Sequence, residues 1–209
     1  ANVFNKITVF VSRFCLVVAT FLLTSCVTRP PSSIDNICDI FEDKRGWYKA
    51  AKKSESKWGS PISVMMSIIH QESRFKAKAK PPRKKFLWIF PGARPSSAFG
   101  YPQAKTSTWK WYLKDTGNRG SDRDDFKDAV DFVGWYNARS TRVNGIESHD
   151  AYHLYLAYHE GHGGFEKRTF SRKNWLKTVA KKVSSRSIRY SRQLESCEAS
   201  LKKDGWWPF

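Results

Sequence analysis

The sequence predicts an all-α protein with a single domain, and three observations lead to that prediction. The chain has 209 residues, of which 40% are apolar and 15% are aromatic, so it can bury one core. Apolar residues recur at helical spacing in several segments, whereas no segment shows the alternation of a half-buried strand. The sequence also contains no internal repeat, which argues against a repeat architecture.

The charge of the chain indicates a polyanionic partner. Its formal net charge is +18 and its isoelectric point is near 9.9. Nucleic acid, an anionic membrane surface and a bacterial cell wall all carry the opposite charge. Charge alone does not choose among these three partners.

The N-terminal segment is typical of an export signal. Lys6 and Arg13 form a basic region that precedes an apolar run from Phe14 to Leu23. The segment contains no acidic residue. The run is short for a membrane-spanning helix, so we expect a signal peptide over residues 1–25. The ending LLTSC resembles the bacterial lipobox, in which Cys26 would carry the lipid and anchor the protein to a membrane. The alternative is an uncleaved N-terminal anchor.

Two further features indicate the compartment. Val27 replaces the aspartate that signals retention in the inner membrane, so we expect a cell-envelope lipoprotein in the outer membrane that faces the periplasm. Removing the signal and lipidating Cys26 leaves Cys38 and Cys197, near the two ends of the remaining domain. We expect them to form one disulfide in the oxidising periplasm, although two unrelated thiols are the alternative.

The first elements of the domain follow a short tether at 26–35. Apolar residues at 37–51 mark the inner face of a first helix. A second helix is predicted from 60 to 74, with Ser60 as its N-cap and Pro61 at its first position.

The second helix ends with an unusual residue. Its apolar stripe consists of Ile62, Met65, Met66 and Ile69, and Glu72 with Ser73 continues that stripe by one more turn. A carboxyl group at the edge of a core has its pKa raised, because burial disfavours the charged form. A general acid needs such a raised pKa, but a glutamate in the last turn of a helix is more often a solvated or salt-bridged residue, so the position of Glu72 alone is a weak signal for catalysis.

The segment 77–97 breaks the helical periodicity. It carries four prolines, a cluster of Lys and Arg, and the aromatic residues Phe86, Trp88 and Phe90. We expect a long loop or a small irregular hairpin, and two interpretations are open. The segment either covers a bound ligand, or it is a basic surface loop over a small satellite core.

Four more helices follow along the chain. They are predicted at 103–113, at 121–140 with Ser121 and Asp124 as a capping box, at 151–160 with Asp150 as N-cap, and at 172–197. The GHGG sequence at 161–164 is expected to end the third of these in a tight turn. Residues 200–209 form a C-terminal tail.

Three short blocks carry a family resemblance. ESRF (72–75), SSAFGYPQA (96–104) and AYHEG (157–161) occur in this order. They resemble the signature blocks of lytic transglycosylases of the soluble-transglycosylase type, which are a catalytic E-S, a G-L-M-Q turn and A-Y-N-x-G. Any one block is a poor discriminator, but three in order are specific, and they extend across the whole domain.

The resemblance implies a fold and a reaction. It implies a lysozyme-like helical domain at 36–199, with a long irregular insertion after the catalytic helix. Such enzymes cleave the β-1,4 bond between MurNAc and GlcNAc in peptidoglycan and leave 1,6-anhydro-MurNAc. A single glutamate acts as acid and then as base, so no second carboxylate, metal or cofactor is required. In this chain that glutamate is Glu72.

The resemblance also implies the substrate-binding residues. The positions carried over are Ser73, Ser97, Gly100, Tyr101, Gln103, Tyr158, His159 and Glu160. The chain departs from the family at Tyr101 and Pro102, which replace Leu and Met, so its sugar platform differs. His159 stands where the family has Asn, and Glu160 offers a second carboxylate near the cleft. On this reading the inserted segment at 77–97 covers the glycan or contacts its peptide stems.

Three other functions compete with the enzymatic one. The altered second and third blocks would also fit a peptidoglycan-binding factor of an envelope or secretion complex that has lost turnover. A nucleic-acid binder is favoured by charge alone, and the export signal and cysteine pair argue against it. A zinc site at His153, His159 and His162 is not favoured, because HEGH lacks the H-E-x-x-H spacing.

Overall fold

The structure, a computed structural model, describes residues 29–83, 85–86 and 90–204. The predicted signal peptide, Cys26, Trp88 and residues 205–209 lie outside the described residues. Within those ranges, no helix combines the length and the apolar content needed to cross a membrane.

The all-α prediction is confirmed. In the described part of the chain, eight helices surround one core and a single two-stranded hairpin is the only sheet. The helices are α1 (Ile37–Asp43), α2 (Trp47–Trp58), α3 (Ile62–Ser73), α4 (Thr106–Thr116), α5 (Phe126–Asn144), α6 (Ala151–Glu160), α7 (His162–Glu166) and α8 (Asn174–Asp204). The hairpin consists of β1 (Lys85–Phe86) and β2 (Phe90–Pro91), which pair antiparallel.

Helix α3 lies at the centre of the core. The predicted stripe is buried as expected, but all nine residues at 62–70 are buried as well, so this helix has no solvent face over that stretch. It packs against α8 on one side and against α5 and α2 on others. A helix surrounded in this way reaches solvent only at its ends, and Glu72 lies at the C-terminal end.

The start of α3 differs from the prediction. Pro61 is the residue that precedes the helix, and Ser60 does not cap it. The Ser60 hydroxyl instead accepts a hydrogen bond from the Asn137 amide of α5 (2.9 Å). Glu55 of α2 takes the capping role, because its Oε1 accepts from the Ile62 backbone N–H at 3.0 Å. A cap from another helix leaves no signal in the local sequence.

Other helix boundaries also required correction. The first predicted helix is two helices, because the chain turns at 44–46 with Gly46 in the left-handed region at φ 91°. Helix α5 begins at Phe126, with Asp125 as its cap, so Ser121 and Asp124 do not form a capping box. The cap of α6 by Asp150 is confirmed, since its carboxylate accepts from the His153 N–H at 3.1 Å. The GHGG sequence ends α6 at Gly161 and then supplies the first residues of α7.

The predicted disulfide is present in the structure. Cys38 of α1 and Cys197 of α8 are bonded across 159 residues of sequence, with their Cα atoms 6.1 Å apart. The bond joins the first helix of the domain to the last one. Tyr190 adds a second link between these ends, because its hydroxyl donates to the Ile34 carbonyl.

Gly134 lets α5 approach α2 and α3 closely. A Cβ atom built on Gly134 would lie 2.4 Å from the Ser54 hydroxyl, 2.9 Å from a Trp58 ring carbon and 3.1 Å from the Met65 sulfur. Ser54 is held in place because it donates to the Val130 carbonyl at 2.9 Å. The lack of a side chain at position 134 is therefore a requirement of how the core is packed.

We predict that Gly134→Ala destabilises the domain. The clash should lower the free energy of unfolding by about 1–3 kcal/mol, although alanine has the better helix propensity. Gly163→Ala is the matched control, because a Cβ there meets nothing within 4 Å. Urea unfolding of both variants measures the effect, and equal midpoints would contradict the account.

Candidate active site

Glu72 lies at the end of α3, beside an unusual turn. Arg74 and Phe75 follow it in the left-handed region, at φ 51° and 58°, and neither is glycine. Such conformations are costly and persist only where surrounding contacts fix them. Phe75 is fully buried and lies against the rings of Trp47 and His70, which holds the turn. The chain thus leaves the helix abruptly, directly after Glu72.

The surroundings of Glu72 favour its neutral form. The residue is half-buried, and loss of water around its carboxyl group raises its pKa to about 7. A hydrogen bond from the Tyr155 hydroxyl opposes this shift, because a donor stabilises the carboxylate. The two effects together leave the proton of Glu72 exchangeable near neutral pH.

Two tyrosines lie next to this carboxyl group, and a third packs against one of them. Tyr155 and Tyr158 of α6 lie close enough to Glu72 for its negative charge to act on them. Burial, together with that charge, raises the pKa of each phenol well above its usual value. The Tyr136 ring of α5 lies 5.1 Å from that of Tyr158, and burial raises the Tyr136 pKa to about 12. The three phenols are therefore neutral hydrogen-bond donors over the whole working pH range.

The second sequence block forms a tight turn that requires glycine. Gly100 has φ 78°, and a Cβ there would lie 2.0 Å from the Arg123 carbonyl oxygen. Its N–H donates to the Ala79 carbonyl at 3.0 Å. The Gln103 amide donates to the carbonyls of Ala79 (2.9 Å) and Gly100 (2.8 Å), so it closes the turn.

The three blocks come together through Tyr158. Its hydroxyl donates to the Pro102 carbonyl at 2.6 Å, which links α6 of the third block to the turn of the second. The same phenol lies close enough to Glu72 of the first block for their charges to interact. The structure therefore assembles Glu72, Tyr158, Gly100 and Gln103 into one region.

Other residues expected at the site are engaged elsewhere. Ser73 is buried and its hydroxyl donates to the Ile69 carbonyl (3.2 Å), so it does not face an open cleft. Tyr101 is 1% exposed and packs against Trp47 and Phe126. It therefore supports the turn from the core side and is not available to contact a sugar. The Ser97 hydroxyl accepts from the Thr106 N–H (3.1 Å) at the start of α4.

Glu160 has the opposite electrostatic character to Glu72. Both of its oxygens accept from the Lys173 ammonium at 2.8 Å, and Thr169 and His159 also contact it. Burial opposes ionisation, but these partners outweigh it and lower the Glu160 pKa to about 2. Glu160 is thus a fixed carboxylate that joins the end of α6 to the segment that precedes α8. His159 lies on the surface with its ring 5.2 Å from that of Trp175.

The other histidines of the third block have structural partners. His153 contacts the Asp150 carboxylate at 2.6 Å, and His162 contacts the Ser140 hydroxyl at 3.1 Å while its ring stacks on Tyr136. Among the described residues, no group of three or more His, Cys, Asp and Glu side chains is placed to hold a metal ion.

Neither Tyr155, which lies next to Glu72, nor Tyr136, which packs against Tyr158, was predicted from the sequence as a site residue. Tyr155 precedes Tyr158 by three residues on α6, so the two phenols lie on the same helix face. That spacing could have indicated from the sequence that Tyr155 lies on the same side of α6 as Tyr158. Tyr136 had only the appearance of a core residue, because its apolar neighbours on α5 share the same stripe.

Comparison with known proteins identifies a family. The family model described as Transglycosylase SLT domain matches residues 14–197, which is most of the chain. Among the curated proteins, none matches the chain.

We predict that Glu72→Gln changes how stability depends on pH. Glu72 has a raised pKa in the folded state, about 7 against 4.5, so unfolding is favoured progressively as pH rises through that window. Below the window both states are protonated, and above it the cost is constant. Glutamine cannot ionise, so the free energy of unfolding of the variant should rise relative to that of the wild type by up to about 3 kcal/mol across the window. Screening by solvent at the half-buried side chain reduces this difference. Urea unfolding at pH 4 and pH 8 measures this, and a constant difference would contradict it.

Proposed function

Because the chain belongs to the transglycosylase SLT domain family of peptidoglycan lytic transglycosylases, we propose that it cleaves the β-1,4 bond between MurNAc and GlcNAc without water. The proposed product ends in 1,6-anhydro-MurNAc. The observation that carries this proposal is the half-buried Glu72, whose pKa burial raises to about 7.

Glu72 would act first as an acid. Its proton passes to the glycosidic oxygen as the bond from C1 of MurNAc to that oxygen breaks. The GlcNAc side leaves with the electron pair and the proton, and positive charge develops at C1. Glu72 is then a carboxylate next to that charge, which stabilises it electrostatically.

Glu72 would act next as a base. The carboxylate takes the proton from the 6-hydroxyl of the same MurNAc, and that oxygen bonds to C1 and closes the anhydro ring. The glutamate ends protonated, as it began, and no water is consumed. An acid that must later serve as base works best with a pKa near the working pH.

Tyr155 and Tyr158 support both steps. The hydrogen bond from Tyr155 stabilises the carboxylate that forms after the first step, while burial stabilises the acid that precedes it. Tyr158 is held by the Pro102 carbonyl and fixes the turn of the second block against α6. We infer that these phenols position Glu72 and the sugar.

The state of Glu160 favours the non-hydrolytic outcome. Hydrolysis by inversion or retention uses a second free carboxylate as base or nucleophile. Glu160 was the sequence candidate for that role, but Lys173 and Thr169 occupy its oxygens. Its charge therefore stabilises the contact of α6 with the segment that precedes α8.

A second candidate function is peptidoglycan binding without turnover, as part of an envelope or secretion complex. The observation in its favour is His159, which replaces the expected asparagine and contacts Glu160 and Trp175 at the surface.

We further propose that Cys26 carries a lipid that anchors the protein in the outer membrane, facing the periplasm. The Cys38–Cys197 disulfide suits an oxidising compartment.

Digestion of purified sacculi tests the main proposal. The wild-type protein should release muropeptides that end in 1,6-anhydro-MurNAc, and Glu72→Gln should release at least about 100-fold less, because it cannot donate the proton. Mass spectrometry distinguishes these products from hydrolytic ones, which are heavier by one water. Hydrolytic products would overturn the mechanism, and pelleting of both proteins with sacculi without any release would favour the binding function.

We predict that Tyr155→Phe shifts the pH profile of the reaction. Wild-type activity should fall above about pH 7 as Glu72 loses its proton. Without the Tyr155 hydroxyl the carboxylate is less stable, so the falling limb should move to higher pH. Tyr152→Phe on the same helix is the control and should leave the limb in place. A shift to lower pH in Tyr155→Phe would contradict the assignment.

A further inference from the structure

A small basic pocket lies next to the turn of the second block. It is lined by Lys80, Arg94, Ser96, Ser97, Phe99 and Arg123, and we call it the basic pocket. Lys80 and Arg94 are exposed, whereas Arg123 is half-buried. The pocket combines the inserted segment after α3 with the loop before α5, so it joins parts of the chain that are distant in sequence.

Three cations line the pocket together, and the acid whose charge acts on Arg123, Asp124, is not among the lining residues. The Lys80 ammonium and the Arg123 guanidinium each lie 5.3 Å from the centroid of the Phe99 ring. No acidic residue lines the pocket, and within the described ranges none of Lys80, Arg94 and Arg123 forms an ion pair. Like charges held together in this way raise the local affinity for an anion.

The pocket is a built feature and not a chance meeting of flexible side chains. Arg123 donates to the carbonyls of Ser97 (3.0 Å) and Ala104 (2.8 Å), which fixes its guanidinium against the turn. Arg94 donates to the Pro81 carbonyl and so ties the two ends of the inserted segment together. These contacts use only part of the donors of each guanidinium, which has five.

Backbone contacts connect the pocket to the candidate active site. Ala79, the residue before Lys80, accepts hydrogen bonds from the Gly100 N–H and the Gln103 amide. The same turn is held by Tyr158, which lies beside Glu72. The basic pocket and Glu72 are therefore connected through the same turn of the second block.

We propose that the basic pocket binds a carboxylate of the peptide stems that peptidoglycan carries on its MurNAc residues. This inference rests on the proposed function and adds to it a recognition site for the stem, separate from the sugar-binding region. The Lys80 and Arg94 side chains make the contacts, and Arg123 and Phe99 form the base of the pocket. The inserted segment between the first two blocks thus has a role in substrate choice.

A binding assay in which charges are removed from the protein, from the substrate and from both tests the proposal. The full chain in non-ionic detergent, in a Glu72→Gln background, is pelleted with native sacculi and with sacculi whose carboxylates have been converted to neutral amides. Pelleting does not depend on turnover, so a failure of the proposed reaction appears only in the product assay. The test variant is Lys80→Gln/Arg94→Gln. The control is Lys181→Gln/Lys182→Gln, which removes the same charge from an exposed part of α8.

We expect a loss of binding affinity that requires both the removal of the two cations from the protein and the presence of free carboxylates on the sacculi. The test variant should bind native sacculi about five- to tenfold more weakly than the control, the loss expected for two exposed ion pairs. On amidated sacculi the two variants should bind equally. The charge-preserving variant Lys80→Arg/Arg94→Lys should restore binding to native sacculi. Equal binding of test and control variants to native sacculi, or a deficit that persists on amidated sacculi, would overturn the proposal.

A third substrate identifies which carboxylate is bound. Amidase treatment removes the stems and leaves the lactyl carboxylate on each MurNAc. On these glycan strands the test variant and the control should bind alike, because the stem carboxylates are gone. A deficit of the test variant on stripped strands would overturn the stem assignment in favour of the lactyl group.

Discussion

The burial of α3 on all sides is the constraint on which the rest of the structure depends. Residues 62–70 have no solvent face, so the neighbouring helices must supply both its apolar contacts and its polar ones. Glu55 of α2 caps its start, Asn137 of α5 contacts Ser60 just before it, and the missing side chain of Gly134 makes room for the crossing of α5. The helix emerges only at its C-terminus, where Glu72 lies. The position of the carboxyl group at the margin of the core is therefore a consequence of how the whole domain is packed.

Two opposing effects act on that carboxyl group, and the balance between them defines the site. Burial disfavours the charge, and the Tyr155 hydroxyl favours it. Glu160 shows the other outcome in the same protein: it too is shielded from water, but an ammonium and two further polar contacts hold it ionised. The two glutamates differ in their partners, because Glu72 has a neutral phenol as donor whereas Glu160 contacts an ammonium. This contrast assigns the proton chemistry to Glu72 and a structural role to Glu160.

The sequence predicted what depends on local pattern. The apolar stripe of α3, the Asp150 cap of α6 and the pairing of Cys38 with Cys197 all follow from spacing or from residue chemistry along the chain. Contacts between distant segments could not be predicted in that way. The cap of α3 by Glu55, the burial of Tyr101 beneath the turn and the engagement of Ser73 with its own helix depend on which helices meet. Tyr155 is intermediate, because its spacing from Tyr158 was visible but its neighbour Glu72 was not.

Burial raises the pKa of Glu72 to near neutral pH, and a direct titration of this carboxyl group tests that value. The protein is labelled with ¹³C at the glutamate side-chain carboxyl carbons, and the Glu72 resonance is assigned by its absence in Glu72→Gln. Its chemical shift is then followed by NMR from pH 3 to pH 9. The account predicts a midpoint near 7 for Glu72, well above the ordinary 4.5 of a glutamate. A midpoint at or below that ordinary value would show an ionised Glu72 at neutral pH and would contradict the account.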